Sequence, residues 1–122
     1  MQKPLLILIA GPYRSGTHGD PSAIAQNLRR LEEAAAPIYR RGHVPVIGEW
    51  AALPTLRGLS QAEADAEDVM YITADRLLQH CDAVLRLPGE SVGADTDVRI
   101  ARERGLPVYS TVDEIPPLVP AL

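Results

Sequence analysis

Apolar positions along this chain form two patterns, short unbroken runs and spaced repeats, and the two alternate. Residues 5–10 are apolar throughout and stop at Gly11-Pro12. A run that short, closed by turn residues, predicts a strand buried on both faces and then a tight loop. Ile24, Leu28, Leu31, Ala35 and Ile38 recur at alternating steps of four and three, the spacing of an amphipathic helix. Asp20-Pro21 supplies a cap and a first-turn proline for it. Pro37 predicts a kink or an end near Ala36. Gly42 reads as the terminator and residues 43–47 as a second strand. Pro45, which has no N–H for a ladder, argues against a central place for that strand.

Residues 48–59 read as a mixed loop that begins with Glu49 and Trp50. Ser60-Gln61-Ala62-Glu63 is a capping-box signature and predicts a helix running to about Gln79. Residues 82–87 read as the next strand and residues 88–94 as a Pro/Gly loop. Asp95 or Thr96 then opens a helix that runs to Arg104 and closes at Gly105. Residues 107–109 make a short last strand. Residues 111–114 repeat the capping-box pattern before Pro116-Pro117, and the tail to Leu122 is either frayed or docked on a partner. This alternation predicts an α/β fold: one Rossmann-like domain over residues 1–122, with a mostly parallel sheet of four or five strands and helices on both faces. Ligands of such sheets bind beyond the carboxyl ends of the strands. That singles out the loops at 11–19 and 88–94.

Composition narrows the picture. Apolar residues make up 46% of the chain, with no Phe and one Trp, so the core is built from Leu, Ile, Val and Ala. The 12 basic residues against 16 acidic ones give a net charge of -4, with no basic tail or stripe. A nucleic-acid partner is therefore not expected. Cys81 is the single cysteine, so no internal disulfide forms, which favours a reducing compartment. The apolar run before Gly11 is too short to cross a membrane and lacks the form of a signal peptide. A cytoplasmic protein without membrane attachment is expected.

The first loop carries Gly11, Tyr13, Arg14, Ser15, Gly16 and Gly19. Glycines let backbone N–H groups approach an anion, and Arg14 has the forked donors that clamp a phosphate. A flexible turn with a solvated Arg14 is the plainer alternative. The run is neither a P-loop nor a dinucleotide fingerprint, and no cofactor is expected. The second loop leads through Ser91 and Gly93 into a helix N-terminus, where unpaired amides favour an anion. One of Asp95 and Thr96 is explained as a cap. Asp97 remains, and a first-turn carboxylate is held ionised by the helix field. Glu49 and Trp50 either line the pocket or serve as a surface acid and a packing Trp. His18 either meets a phosphate or lies on the surface, and Asn27 reads as a solvent-facing helix residue. His43, His80 and Cys81 do not make a converging metal set, so no metal is expected. Cys81 reads as a small buried hydrophobe.

Three stretches taken together resemble one family: Ile9-Ala10-Gly11-Pro12-Tyr13, then Cys81-Asp82-Ala83-Val84, then the run from Ser91 to Ala101. Their order and spacing resemble the nucleoside 2-deoxyribosyltransferase superfamily, including its 2-deoxynucleoside 5′-monophosphate N-hydrolase branch. Leu87-Pro88-Gly89 and Gly105-Leu106-Pro107-Val108 bring the chain nearest to that superfamily's small uncharacterised members. The resemblance runs from Pro4 to Tyr109. It implies cleavage or transfer at an N-glycosidic bond, with a carboxylate nucleophile at Asp97. It also implies sugar or phosphate contacts from Gly11, Pro12, Arg14, Ser15, Gly16, Ser91 and Gly93, and an aromatic partner at Tyr13. The family's second acid finds its nearest counterpart in Asp75, one residue out of register. The family has a glutamate where Asp97 stands, one methylene longer. A homodimer in which a neighbour helps close each site is implied as well, and the Ala-rich helix near 24–36 suits close packing. The alternative function is a non-catalytic binder of a nucleotide or sugar phosphate. A third is an interaction role with no small ligand.

Overall fold

A computed structural model describes residues 3–118. Its sheet has four strands, all parallel: β1 (Leu6–Ala10), β2 (Val44–Val46), β3 (Ala83–Arg86) and β4 (Val108–Tyr109), in the order β2-β1-β3-β4. The unbroken apolar run forms the inner strand β1, covered on both sides. Ile7 and Ile9 pack on one face with Leu31, Ala34, Ile38 and Ile115. Leu8 and Ala10 pack on the other with Leu78, Cys81, Ala94 and Ala101. Side chains alternate across a strand, so a run with no polar position fits only a strand with no solvent face.

On the first face lie α1 (Pro21–Glu33) and α2 (Ala35–Arg40). Asp20 caps α1 and Pro21 opens it, as the sequence predicts. The break comes at Ala34, earlier than the expected end near Ala36. A proline excludes the helix carbonyl four residues before it, which here is Glu33, the last residue of α1. Pro37 then stands in the first turn of α2, where its missing N–H would have had no partner. β2 is an edge strand. Val44 and Val46 face β1 with their amides, so Pro45 falls where the N–H would point out of the sheet, and the edge offers no donor there.

Between β2 and β3 run α3 (Gly48–Gly58), α4 (Gln61–Ala66) and α5 (Val69–Leu78). Two expectations are corrected here. Residues 48–59 are not a loop: α3 stays helical through Pro54, packed against α5 and β1. The helix after the Ser60 capping box does not run through to Gln79 either. It stops at Ala66, and Asp68 caps a new helix by accepting from the Tyr71 amide. The second face is completed by α6 (Val92–Glu103), which starts before the expected Asp95 or Thr96 because Ser91 caps it. The 3₁₀ turn Val112–Glu114 carries the second capping box. Beyond Leu118 the tail lies outside the described residues. No described helix is long and apolar enough to cross a membrane.

β1 feeds α1 and α2 towards β2 on one side, while β3 enters on the other side of β1. The chain thus changes direction between β1 and β3, where a crevice opens at the carboxyl ends of the strands. His43, buried, ties the far end of this frame together. Its Nδ1 accepts from the Leu5 amide at 3.0 Å, so Nε2 carries the proton donated to the Pro116 carbonyl at 2.6 Å. His43→Ala leaves both groups unpaired in the interior. A loss of about 2–4 kcal/mol is expected in urea unfolding, with the cavity-binding residues undisturbed.

Candidate functional site

The crevice holds a cavity of about 420 Å³, within the range of sites for small molecules. Three adjacent strands feed it. From the end of β1 come Gly11, Tyr13, Arg14 and Ser15; from β2 come Gly48 and Glu49; from β3 and the start of α6 come Ser91, Gly93 and Asp97. Asp68, Met70, Tyr71 and Ala74, at the start of α5, complete the wall.

The loop after β1 is held by buried polar side chains. Asn27, on α1, donates from Nδ2 to the Tyr13 carbonyl at 2.8 Å and the Ser15 carbonyl at 3.5 Å. The expectation of a solvent-facing Asn27 is therefore wrong: it is 7% exposed and shapes the loop. Thr17 donates to the Arg14 carbonyl at 2.5 Å. Gly11 sits where a Cβ would lie 2.9 Å from Leu31 Cδ2 on α1 and 3.2 Å from Leu87 Cβ, so a larger residue would press on both. Gly89, at φ +116°, leaves a Cβ position only 2.7 Å from Pro12 Cγ, and the two loops interlock there. Arg86 clamps the second loop. Its guanidinium donates to the carbonyls of Leu87 and Gly89 and to Asp95 Oδ1, the last at 2.9 Å.

Of the residues singled out in the sequence, Gly11, Tyr13, Arg14, Ser15, Ser91, Gly93 and Asp97 share the cavity. Pro12 and Gly16 face a second, more open hollow beside α1, which Ser15 and Ser91 also border. Asp75 lies outside the cavity wall, where its neighbour Ala74 stands, though its charge reaches Asp97. Ser91 is buried and caps α6, its Oγ accepting from the Ala94 amide at 3.1 Å. Asp95 is exposed and pairs with Arg86. Trp50 packs outward and donates from Nε1 to Glu32 at 2.9 Å, while Glu49 faces the cavity. Cys81 is buried, and burial raises its thiol to about 11, helped by the charges of Asp82 and Asp97. Among the described residues no three His, Cys, Asp or Glu side chains converge as metal ligands.

The state of Asp97 differs from the sequence expectation. With α6 opening at Val92, Asp97 stands in the second turn, beyond the amides that make the helix terminus positive. The expected ionising field is therefore weak. Burial, then the charges of Glu49 and Asp75, raise the carboxyl, Arg86 opposes them, and the balance stands at about 7. Glu49 is itself raised, by burial, against the pull of a hydrogen bond from its own backbone amide. Met70, Tyr71 and Glu49 were not read as firm site residues, because what joins them to the cavity is the break before α5 and the helical start at Gly48. A cap signal at Asp68, before Val69 and Met70, was the one trace of that break in the sequence.

The raised Asp97 has a stability consequence with a definite sign. Folding binds the proton more tightly than the unfolded chain does, so the cost of the ionised side chain is absent below pH 3.8, builds as pH rises, and is complete above about 7. Asp97→Asn removes that cost. Its Tm relative to wild type is expected to be higher at pH 8 than at pH 5 by roughly 5 °C or more, read by calorimetry at both values. A separate expectation concerns the loop: Asn27→Ala costs about 1–3 kcal/mol and speeds amide exchange over residues 13–17. No protein-family model, curated protein or solved structure matches this chain.

Proposed function

We propose that the chain cleaves or transfers at the N-glycosidic bond of a nucleoside or nucleoside monophosphate, with Asp97 as the attacking carboxylate. The observation that carries this reading is the meeting of Asp97, Tyr13 and Ser91 in one cavity at the point where the strand order reverses. Asp97 does not cap its own helix, since Ser91 does, so its carboxyl is available to a ligand. Carboxylate attack on an anomeric carbon needs a reach of about 3–3.5 Å, and a cavity-lining side chain meets that condition when the sugar lies against α6. A 5′-phosphate then falls at the start of α6, near the amides of Val92 and Gly93, with Arg14 and Ser15 opposite. Tyr13 supplies an aromatic face for the sugar, and the Arg14 guanidinium lies 6.0 Å from its ring centre.

A second reading, a non-catalytic binder of the same ligands, is favoured by one observation: at about 7, the Asp97 carboxyl is half protonated in neutral solution, and the protonated form does not attack. A homodimer belongs to the proposal too. Val92, 80% exposed, and Tyr71, 40% exposed, are apolar at the cavity rim and support a second copy closing it.

Base release from a panel of nucleosides and their monophosphates, followed by chromatography, separates the readings. Release by wild type with at least ~100-fold loss in Asp97→Asn is expected. Because attack requires the ionised form, the rate is expected to fall as pH drops below about 7. Saturable binding in calorimetry without turnover favours the binder, and equal release by both proteins removes Asp97 from the reaction. Sedimentation at micromolar concentration is expected to show a dimer.

A further inference from the structure

Glu49 belongs to the same cavity and has no other evident task. It stands in the first turn of α3, directly after β2, while Asp97 stands on α6, directly after β3. β2 and β3 flank β1 on opposite sides, so the two carboxyls enter the cavity from either side of the β1 end. No ion pair among the described residues involves Glu49. The structural duty at this corner falls to its neighbour Trp50, which reaches away to Glu32. The partly buried Glu49 carboxyl accepts from its own backbone amide and remains open to a ligand in the cavity.

We infer that Glu49 is the acid–base residue of the site: it gives a proton to the departing nucleobase and takes one from the incoming water. The inference rests on the glycosidic reading above and adds the group that reading lacks. A nucleobase is a poor leaving group as an anion, and protonation at a ring nitrogen makes its departure easy. In the first step a bond forms between an Asp97 carboxylate oxygen and the anomeric carbon. The carbon–nitrogen bond breaks, its electron pair leaves with the base, and the Glu49 proton passes to the base nitrogen. In the second step water attacks the same carbon, the ester electrons return to Asp97, and Glu49 takes the water proton. The base and the free sugar leave, and both carboxyls are restored. Two carboxyls divided into an attacking group and a proton carrier are a general solution to glycoside cleavage.

Burial raises both carboxyls and their charges repel, so the pair holds a shared proton to a higher pH than either group would in solution, and the step uses the form with that proton on Glu49. Glu49 is pushed up by desolvation and is the largest of the charges raising Asp97. The other groups that act on Asp97 are Asp75 of α5, which raises it, and Arg86 of β3, which lowers it. The thiol of Cys81 stays neutral below about 11.

The test compares Glu49→Gln with wild type on two substrates of one sugar, deoxyadenosine 5′-monophosphate and 4-nitrophenyl 2-deoxyriboside 5-phosphate. Nitrophenolate departs without a proton. If Glu49 is the acid, its loss costs roughly 100-fold or more on the nucleotide and at least ~30-fold less in the first turnover of the nitrophenyl compound. Equal losses on both substrates, while Asp97→Asn is inactive on both, overturn the role of Glu49 and leave the glycosidic reading intact. No product from either substrate with wild type overturns both. A second measurement needs no turnover: carboxyl NMR of Asp97 in Glu49→Gln is expected to show its midpoint lowered, and an unchanged midpoint overturns the pairing.

Discussion

Everything in this protein hangs on β1 having no solvent face. Ile7 and Ile9 must be covered on one side and Leu8 and Ala10 on the other, which requires a helical layer on each face of the sheet and a strand on each edge of β1. Short parallel connections that satisfy both layers send the chain first to one side of β1 and then to the other. The crevice is a consequence of that reversal. The loops leaving β1 and β3 meet there through Pro12 and Gly89, and the residues they carry are delivered to one place.

A crevice made this way is apolar at its base, and that governs its chemistry. Leu8, Ile9 and Ala10 form part of the cavity wall, and Ala94, one turn before Asp97, is buried beneath it. Water is withheld from the carboxyls of Glu49 and Asp97, so both hold protons more strongly than they would in solution. Arg86 supplies the counterweight. Its fork is spent on two loop carbonyls and Asp95, which fixes the loop, while its charge still draws Asp97 down. One side chain thus serves both the shape and the electrostatics of the site.

The loops themselves are rigid because their backbone groups are claimed. Asn27 reaches from α1 to hold the carbonyls of Tyr13 and Ser15, and Thr17 holds that of Arg14. Pro12 against Gly89 locks the first loop to the second. Gly11, read in the sequence as part of an anion-binding loop, has here a demonstrable packing role, and so has Gly89. At Gly16 and Gly19 no atom lies near the missing Cβ, and their positive φ alone accounts for glycine.

The linear order of residues determined a good part of this. Unbroken apolar runs, a three-and-four spacing and glycine or proline stops are local signals, and they specified a mostly parallel sheet of four or five strands, a place away from its centre for the Pro45 strand, and two loops with unusual chemistry at the strand ends. Tyr13, Ser91 and Asp97 were legible because each follows directly from such a loop. What depends on contacts distant in sequence was not. Pro54 and flanking glycines read as loop, yet packing on α5 outweighs the local cost and makes α3 a helix, which turns Glu49 into the cavity. Ser91 caps α6, and that single choice moves Asp97 from the first turn to the second. Asn27 carries no sign in its own helix that Tyr13 and Ser15 wait across from it. Charge state is the clearest case: a carboxyl's proton affinity is set by the water it loses and the charges brought beside it, and only the folded chain brings Glu49, Asp75 and Arg86 to Asp97.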